Sequence, residues 1–126
     1  MPDLRESLKS IFDQLGTAKI TLILETFYER MADDPMLMHF FIGKDLKHIA
    51  HQQAAFMMNA AGMTPSFQGR GPSTAHVNIA PIWQGHFDRR MVLLREVLEN
   101  AQLAANLIQQ WIDFERAFEK IVVSPN

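Results

Sequence analysis

Apolar residues recur three and four positions apart along almost the whole chain, the spacing that lines one face of an α-helix. Leu4, Leu8, Ile11, Phe12 and Leu15 form the first such stripe, and Gly16 stops it. A second stretch starts at Thr17, a residue type that caps helix N-termini. It carries Ile20, Ile23, Leu24, Phe27 and Met31 as far as Asp33-Asp34-Pro35. A third runs from about Asp45 to Ala61, with Gly62 behind it. Two more follow: Phe87, Met91, Leu94 and Leu98, then Leu103, Leu107, Trp111, Phe114, Phe118 and Ile121. Their link near Asn100 is brief, which predicts an antiparallel pair. No strand pattern, repeat or low-complexity run intervenes. The chain reads as all-α.

One segment resists this pattern. Met63 to Ser73 reads Met-Thr-Pro-Ser-Phe-Gln-Gly-Arg-Gly-Pro-Ser, which neither helix nor strand absorbs. Irregular stretches of that length in compact domains are mostly functional or disordered. It leads into a single predicted turn, Thr74 to Ala80, that places His76 among Pro72, Ala75, Ile79 and Ala80.

Two polar residues interrupt the apolar stripes. On a helical wheel of the third stretch, Leu46, Ile49, Ala50, Phe56, Met57 and Ala60 fall within roughly 60° of Gln53. An amide in an apolar face costs about 1–3 kcal/mol unless it is hydrogen-bonded. Gln53 is therefore either satisfied by a neighbouring helix or turned toward a polar ligand. Tyr28 poses the same choice at the edge of the second stripe, four residues after Leu24. His76 is either a hydrogen-bonded core residue or a metal ligand. His48 and His51 lie on the far side of the wheel from Gln53, a solvated face. Arg89, Arg90 and Arg95 read as a solvated helix face or as partners for a ligand's carboxylates.

Composition narrows the classes. With 126 residues, 48% hydrophobic and 21% charged, the chain predicts a single domain spanning 1–126. A net charge of −2 gives no electrostatic footprint for nucleic acid. The chain contains no cysteine, which excludes disulfides, thiolate metal sites and covalent c-type haem. There is no apolar signal core and no stretch long enough to span a bilayer, so a cytoplasmic protein is expected. Zinc-type histidine spacing, phosphate-cradling glycine loops and nucleophile elbows are missing.

The ordered set Phe27-Tyr28, Asp33-Asp34, Phe40-Phe41, His51-Gln52-Gln53 with Phe56, Gly69-Arg70, Ala75-His76 and His86-Phe87 resembles the truncated haemoglobins, nearest their first group. The resemblance runs from about Leu15 to Val122. It implies a truncated globin, a two-over-two helical sandwich around haem b. His76 would be the proximal iron ligand, and Tyr28 and Gln53 the distal hydrogen-bonding residues. Phe41, Leu46, Ile49, Phe56 and Phe87 would line the haem, with Ile49 where many globins place a distal histidine. Phe67 stands where many members carry a tyrosine, and Arg90 where the first group usually has an apolar haem contact. A single histidine ligand leaves one iron face open for O2, CO or NO.

The implied function is reversible binding of O2 and other diatomic gases, for oxygen transport or for detoxification of nitric oxide in the manner of an NO dioxygenase. An electron donor would then keep the iron ferrous. Two other readings stay open: a haem-based redox or peroxidase-like enzyme, and a haem-free helical interaction module.

Overall fold

The computed structural model describes residues 3–63 and 81–125. Helix α1 spans Leu4–Leu15, where Asp3 caps it by accepting a hydrogen bond from the Arg5 amide at 2.9 Å. Gly16 ends α1 and opens α2, Thr17–Ala32, with φ +82°, a left-handed geometry that a side chain would strain. The α2 cap is thus Gly16 and not Thr17, which is already helical and accepts at its carbonyl from the Thr21 hydroxyl. A short connector contains a 3₁₀ turn at Met38–Phe40. Helix α3, Leu46–Ala60, starts from Asp45, whose carboxylate takes the His48 amide at 3.1 Å.

The second half holds α4, Gln84–Asn100, α5, Ala105–Arg116, and the short α6, Glu119–Val122. Sequence periodicity predicted one helix from Leu103 through Ile121. The chain instead breaks at Ala117–Phe118, where the Phe118 ring turns to meet Phe56 and Phe114 at 5.4 and 5.2 Å. Aromatic contacts of this kind contribute about 0.5–1.5 kcal/mol beyond area burial, enough to compete with continued helix. Among the described residues there is no strand. No helix there is long and apolar enough to cross a membrane.

Helix α2 packs against α3 on one side and α4 on the other, while α1 crosses to α5. Trp111, Phe27, Leu24, Ile20, Leu94 and Leu98 are fully buried where these pairs meet. Each such side chain contributes about 1.5–3 kcal/mol of burial free energy. Gly62 fixes one corner. Its φ of +76° ends α3, and any Cβ there would collide with the Arg5 guanidinium. A second corner is fixed by reciprocal bonds: the Ile82 amide donates to the Ser124 hydroxyl at 3.1 Å, and the Ser124 amide to the Ile82 carbonyl at 2.7 Å.

The α2–α3 connector is held by one buried carboxylate. Asp34 accepts from the Met36 amide at 3.1 Å and from Arg89 Nε and Nη2 at 3.0 and 2.7 Å. Hydrogen bonding from Arg89 holds the Asp34 carboxyl below its ordinary range, against the opposing effect of burial. A group lowered in the folded state stabilises fully above its unfolded value and loses that contribution as pH falls through the folded one. Asp34→Asn is therefore expected to melt below the parent at neutral pH, with the gap closing below about pH 4. Thermal melts of both proteins across pH check this; a gap that persists unchanged in acid contradicts it.

Candidate functional site

Tyr28 is the chain's single tyrosine and it is buried on α2, with its ring 5.5 Å from Phe27 and edge-on to Phe41 at 5.9 Å. Burial raises its pKa above the ordinary value, and the nearby Arg90 charge only partly offsets that. The hydroxyl thus stays protonated and able to donate at any physiological pH. Phe41 is brought to this ring by the connector that Asp34 and Arg89 hold in place.

Helix α3 divides its apolar residues between two stripes. Ala50, Ala54, Met57 and Ala61 are fully buried against the neighbouring helices. Leu46, Ile49, Gln53, Phe56 and Ala60 lie about 100° around the helix and are half-buried. The sequence wheel merged these stripes into one centred on Gln53. In the structure Gln53 instead sits mid-way along the half-buried stripe, beside the core and not at its centre. Phe56 reaches the other end of the molecule's aromatic system, 6.1 Å from Phe114 and 5.4 Å from Phe118. Phe87, on α4, is fully buried.

Of the expected site residues, Tyr28 falls on α2, Phe41 on the connector, Leu46, Ile49, Gln53 and Phe56 on α3, and Phe87 on α4, and a contact is seen between Tyr28 and Phe41. His76, together with Phe67, Gly69 and Arg70, lies outside the described residues. His48 and His51 are exposed on the outer side of α3, and His51 Nε2 meets Glu25 of α2 at 3.2 Å. Among the described residues, no cluster of three or more histidine or acidic side chains could hold a metal ion.

Two groups near the site have partners that the sequence did not reveal. Arg90 is not on a solvated face. Its Nη2 donates to Glu115 Oε2 at 3.0 Å, and the two side chains are 21% and 8% exposed. Burial alone would lower the Arg90 pKa, but the Glu115 carboxylate and the Tyr28 hydroxyl beside it hold the guanidinium firmly protonated. The available signal was Glu115 itself, which follows Trp111 by four residues and so had to share its buried face. The second group is His86, whose Nδ1 accepts from the Trp83 amide at 3.0 Å at the start of α4. It must be neutral to do so, and burial together with neighbouring His39 lowers its pKa accordingly.

Leu46, Ile49, Phe41 and Phe56 supply half-buried apolar surface. Among the described residues neither the Tyr28 O–H nor the Gln53 amide donates to an acceptor, and Arg90 is the charged neighbour of the Tyr28 hydroxyl.

The model of the bacterial-like globin family matches residues 10–123. A group 1 truncated haemoglobin of Synechocystis is 37% identical over 71 residues, 55% of this chain and 56% of that protein. One from Chlamydomonas moewusii is 30% identical over 73 residues, 57% of this chain and 43% of that protein. The matched part thus spans about half the length of these curated relatives. Solved structures agree in fold. The 2/2 haemoglobin of Synechococcus, solved with covalently attached haem, superposes with a TM-score of 0.76 at 24% identity, covering 90% of this chain and 97% of that one. The truncated haemoglobin of Tetrahymena pyriformis in its Fe(III) form gives 0.79 at 22%, covering 91% and 98%.

Proposed function

Because this chain belongs to the bacterial-like globin family, as a truncated haemoglobin of two-over-two fold, we propose that it binds O2 and other diatomic gases reversibly at haem b. Haem b is the cofactor, and it supplies an iron that can take a small gas molecule on the face not held by protein. The chain's own residues do the rest. Phe41, Leu46, Ile49, Phe56 and Phe87 provide the apolar lining that excludes water and holds the macrocycle. Tyr28 and Gln53 present an O–H and an amide N–H to the ligand. His76 is the proposed proximal ligand, taken from its place in the family's motif order.

The observation that carries this reading is the pair of uncommitted donors, Tyr28 and Gln53, beside an apolar half-buried stripe. A core tyrosine and glutamine in a haem-free interaction module would be expected to donate to each other or to backbone, and among the described residues they do not. The finer roles follow from the same donors: retention of O2, or consumption of NO by the O2-loaded protein, with an electron donor returning the iron to the ferrous state. A cytoplasmic setting suits such a cycle. The visible spectrum of the purified protein tests the cofactor, and its O2 affinity and NO consumption then separate storage from turnover. A protein with no Soret band that stays folded on adding haemin without taking it up would end this reading.

The exposed placement of His48 and His51 carries a prediction of its own. Bringing either to the iron requires turning α3 by well over a right angle, which would pull Ala50, Ala54 and Met57 out of the core. The deoxy ferrous protein is therefore expected to be five-coordinate. A low-spin ferrous spectrum abolished by His48→Ala or His51→Ala would contradict it.

A further inference from the structure

Helix α4 carries neighbouring arginines that turn opposite ways. Arg89 goes outward to Asp34, and Arg90 goes inward to Glu115. Arg90 Nη1 also approaches Met31 Sδ at 3.5 Å, and its Cζ lies 4.9 Å above the Phe27 ring and 5.8 Å above the Tyr28 ring. A core otherwise built of leucine, isoleucine and phenylalanine does not need this pair for stability. Replacing a buried ion pair by apolar residues of similar volume is often neutral or stabilising. Nor is the cluster self-contained, since Glu115 Oε1 and Trp111 Nε1, one turn apart on α5, make no hydrogen bond among the described residues.

The cation of the pair stands beside Tyr28, its Cζ 5.8 Å from the ring centre. A guanidinium has five N–H donors and no acceptor, so a hydroxyl beside it can only accept from it. The single O–H proton of Tyr28 is then left to point elsewhere. A bare Glu115 carboxylate in the same place would do the reverse and draw that proton toward itself. Arg90 offsets this pull by pairing its charge with Glu115 at Oε2.

We propose that Arg90, locked by Glu115, is a positioning residue that keeps the Tyr28 O–H turned toward the ligand and biases the site to ligands that accept hydrogen bonds, small anions above all. This rests on the haem reading given above. The charge of Arg90 is matched by Glu115, so the effect on the ligand runs through the freed O–H, which supplies a directed bond to it.

The test uses the holoprotein and four variants, read by fluoride affinity of the ferric form and the C–O stretching frequency of the ferrous CO form. In Arg90→Met combined with Glu115→Leu, which removes both charges at similar volume, fluoride affinity is expected to fall roughly tenfold, as for one lost charge-assisted hydrogen bond. The C–O stretch is expected to move to higher frequency. Arg90→Lys, still cationic and without an acceptor, is expected to stay close to the parent. In a Tyr28→Phe background the Arg90→Met, Glu115→Leu change should add little, because it acts through the lost hydroxyl. Unchanged fluoride affinity and C–O stretch in the paired variant would overturn the proposal and leave Arg90–Glu115 structural. A full tenfold effect surviving in Tyr28→Phe would overturn it too, since Arg90 would then act without Tyr28. Failure of the parent protein to take up haem would instead strike the functional reading, and the two failures are told apart by the Soret band.

Discussion

A His76→Gly variant is expected to emerge from purification without most of its haem, and added imidazole is expected to restore it. The remaining histidines cannot take over. His48 and His51 are exposed on the outer side of α3. His86 uses Nδ1 to accept from the Trp83 amide, and His39 lies against the Phe40 and His86 rings. On the proposed assignment, loss of His76 leaves apolar contact with the proposed lining residues to retain the macrocycle. Exogenous imidazole can fill the space left by the side chain and supply the missing nitrogen. Haem content measured after gel filtration, with and without imidazole, decides the matter. Unchanged haem content and an unchanged ferrous CO spectrum in the variant would remove His76 from the proximal position.

The second large effect is expected at Tyr28. As a ligand, O2 accepts a hydrogen bond far better than CO does. A hydrogen bond to a charged or strongly polarised acceptor is worth about 1.5–3 kcal/mol, and about 1.4 kcal/mol is tenfold in an equilibrium constant. Tyr28→Phe keeps the ring contacts with Phe27 and Phe41 and removes only the hydroxyl. O2 dissociation should therefore accelerate roughly tenfold or more, with CO dissociation much less affected. Gln53→Leu should act in the same direction. The two changes should fall short of additive, because donors that share one acceptor are coupled. Stopped-flow dissociation rates for both gases test this; equal acceleration for O2 and CO would mean that the pocket changed shape and no hydrogen bond was lost.

Much of this architecture could be read in the residue pattern because helices of this size announce themselves locally. The ends of α1 follow from Asp3 and Gly16 and from nothing farther away. The start of α3 likewise follows from Asp45. What escaped was azimuth. The periodicity of α3 showed that Gln53 shared a side with Leu46, Ile49 and Phe56. It could not show that Ala50, Ala54 and Met57 form a separate stripe, because that division depends on where α2 lies. Arg90 and Glu115 escaped for the same reason. They are 25 residues apart on different helices, and a charge beside an apolar stripe is read as solvated until a partner helix is placed over it. The break at Phe118 carries no proline or glycine signal and is made by contact with Phe56 and Phe114. Tyr28 and Gln53 were legible because each set a polar group against an apolar run, a local contradiction that needs no tertiary knowledge to notice.

The divided apolar surface of α3 has a consequence for how much of this protein a cell would hold. One stripe is buried by polypeptide, and the other is the surface that haem would cover. A ligand that binds only the folded chain adds about 2.7 kcal/mol of stability at one hundred times its dissociation constant. That is a large part of the 5–15 kcal/mol typical of a whole domain. Molecules that fail to acquire haem would spend more time open and be cleared sooner by proteases. The steady-state amount of the protein would then track the supply of its cofactor with no change in synthesis, so that abundance itself becomes a gauge of haem.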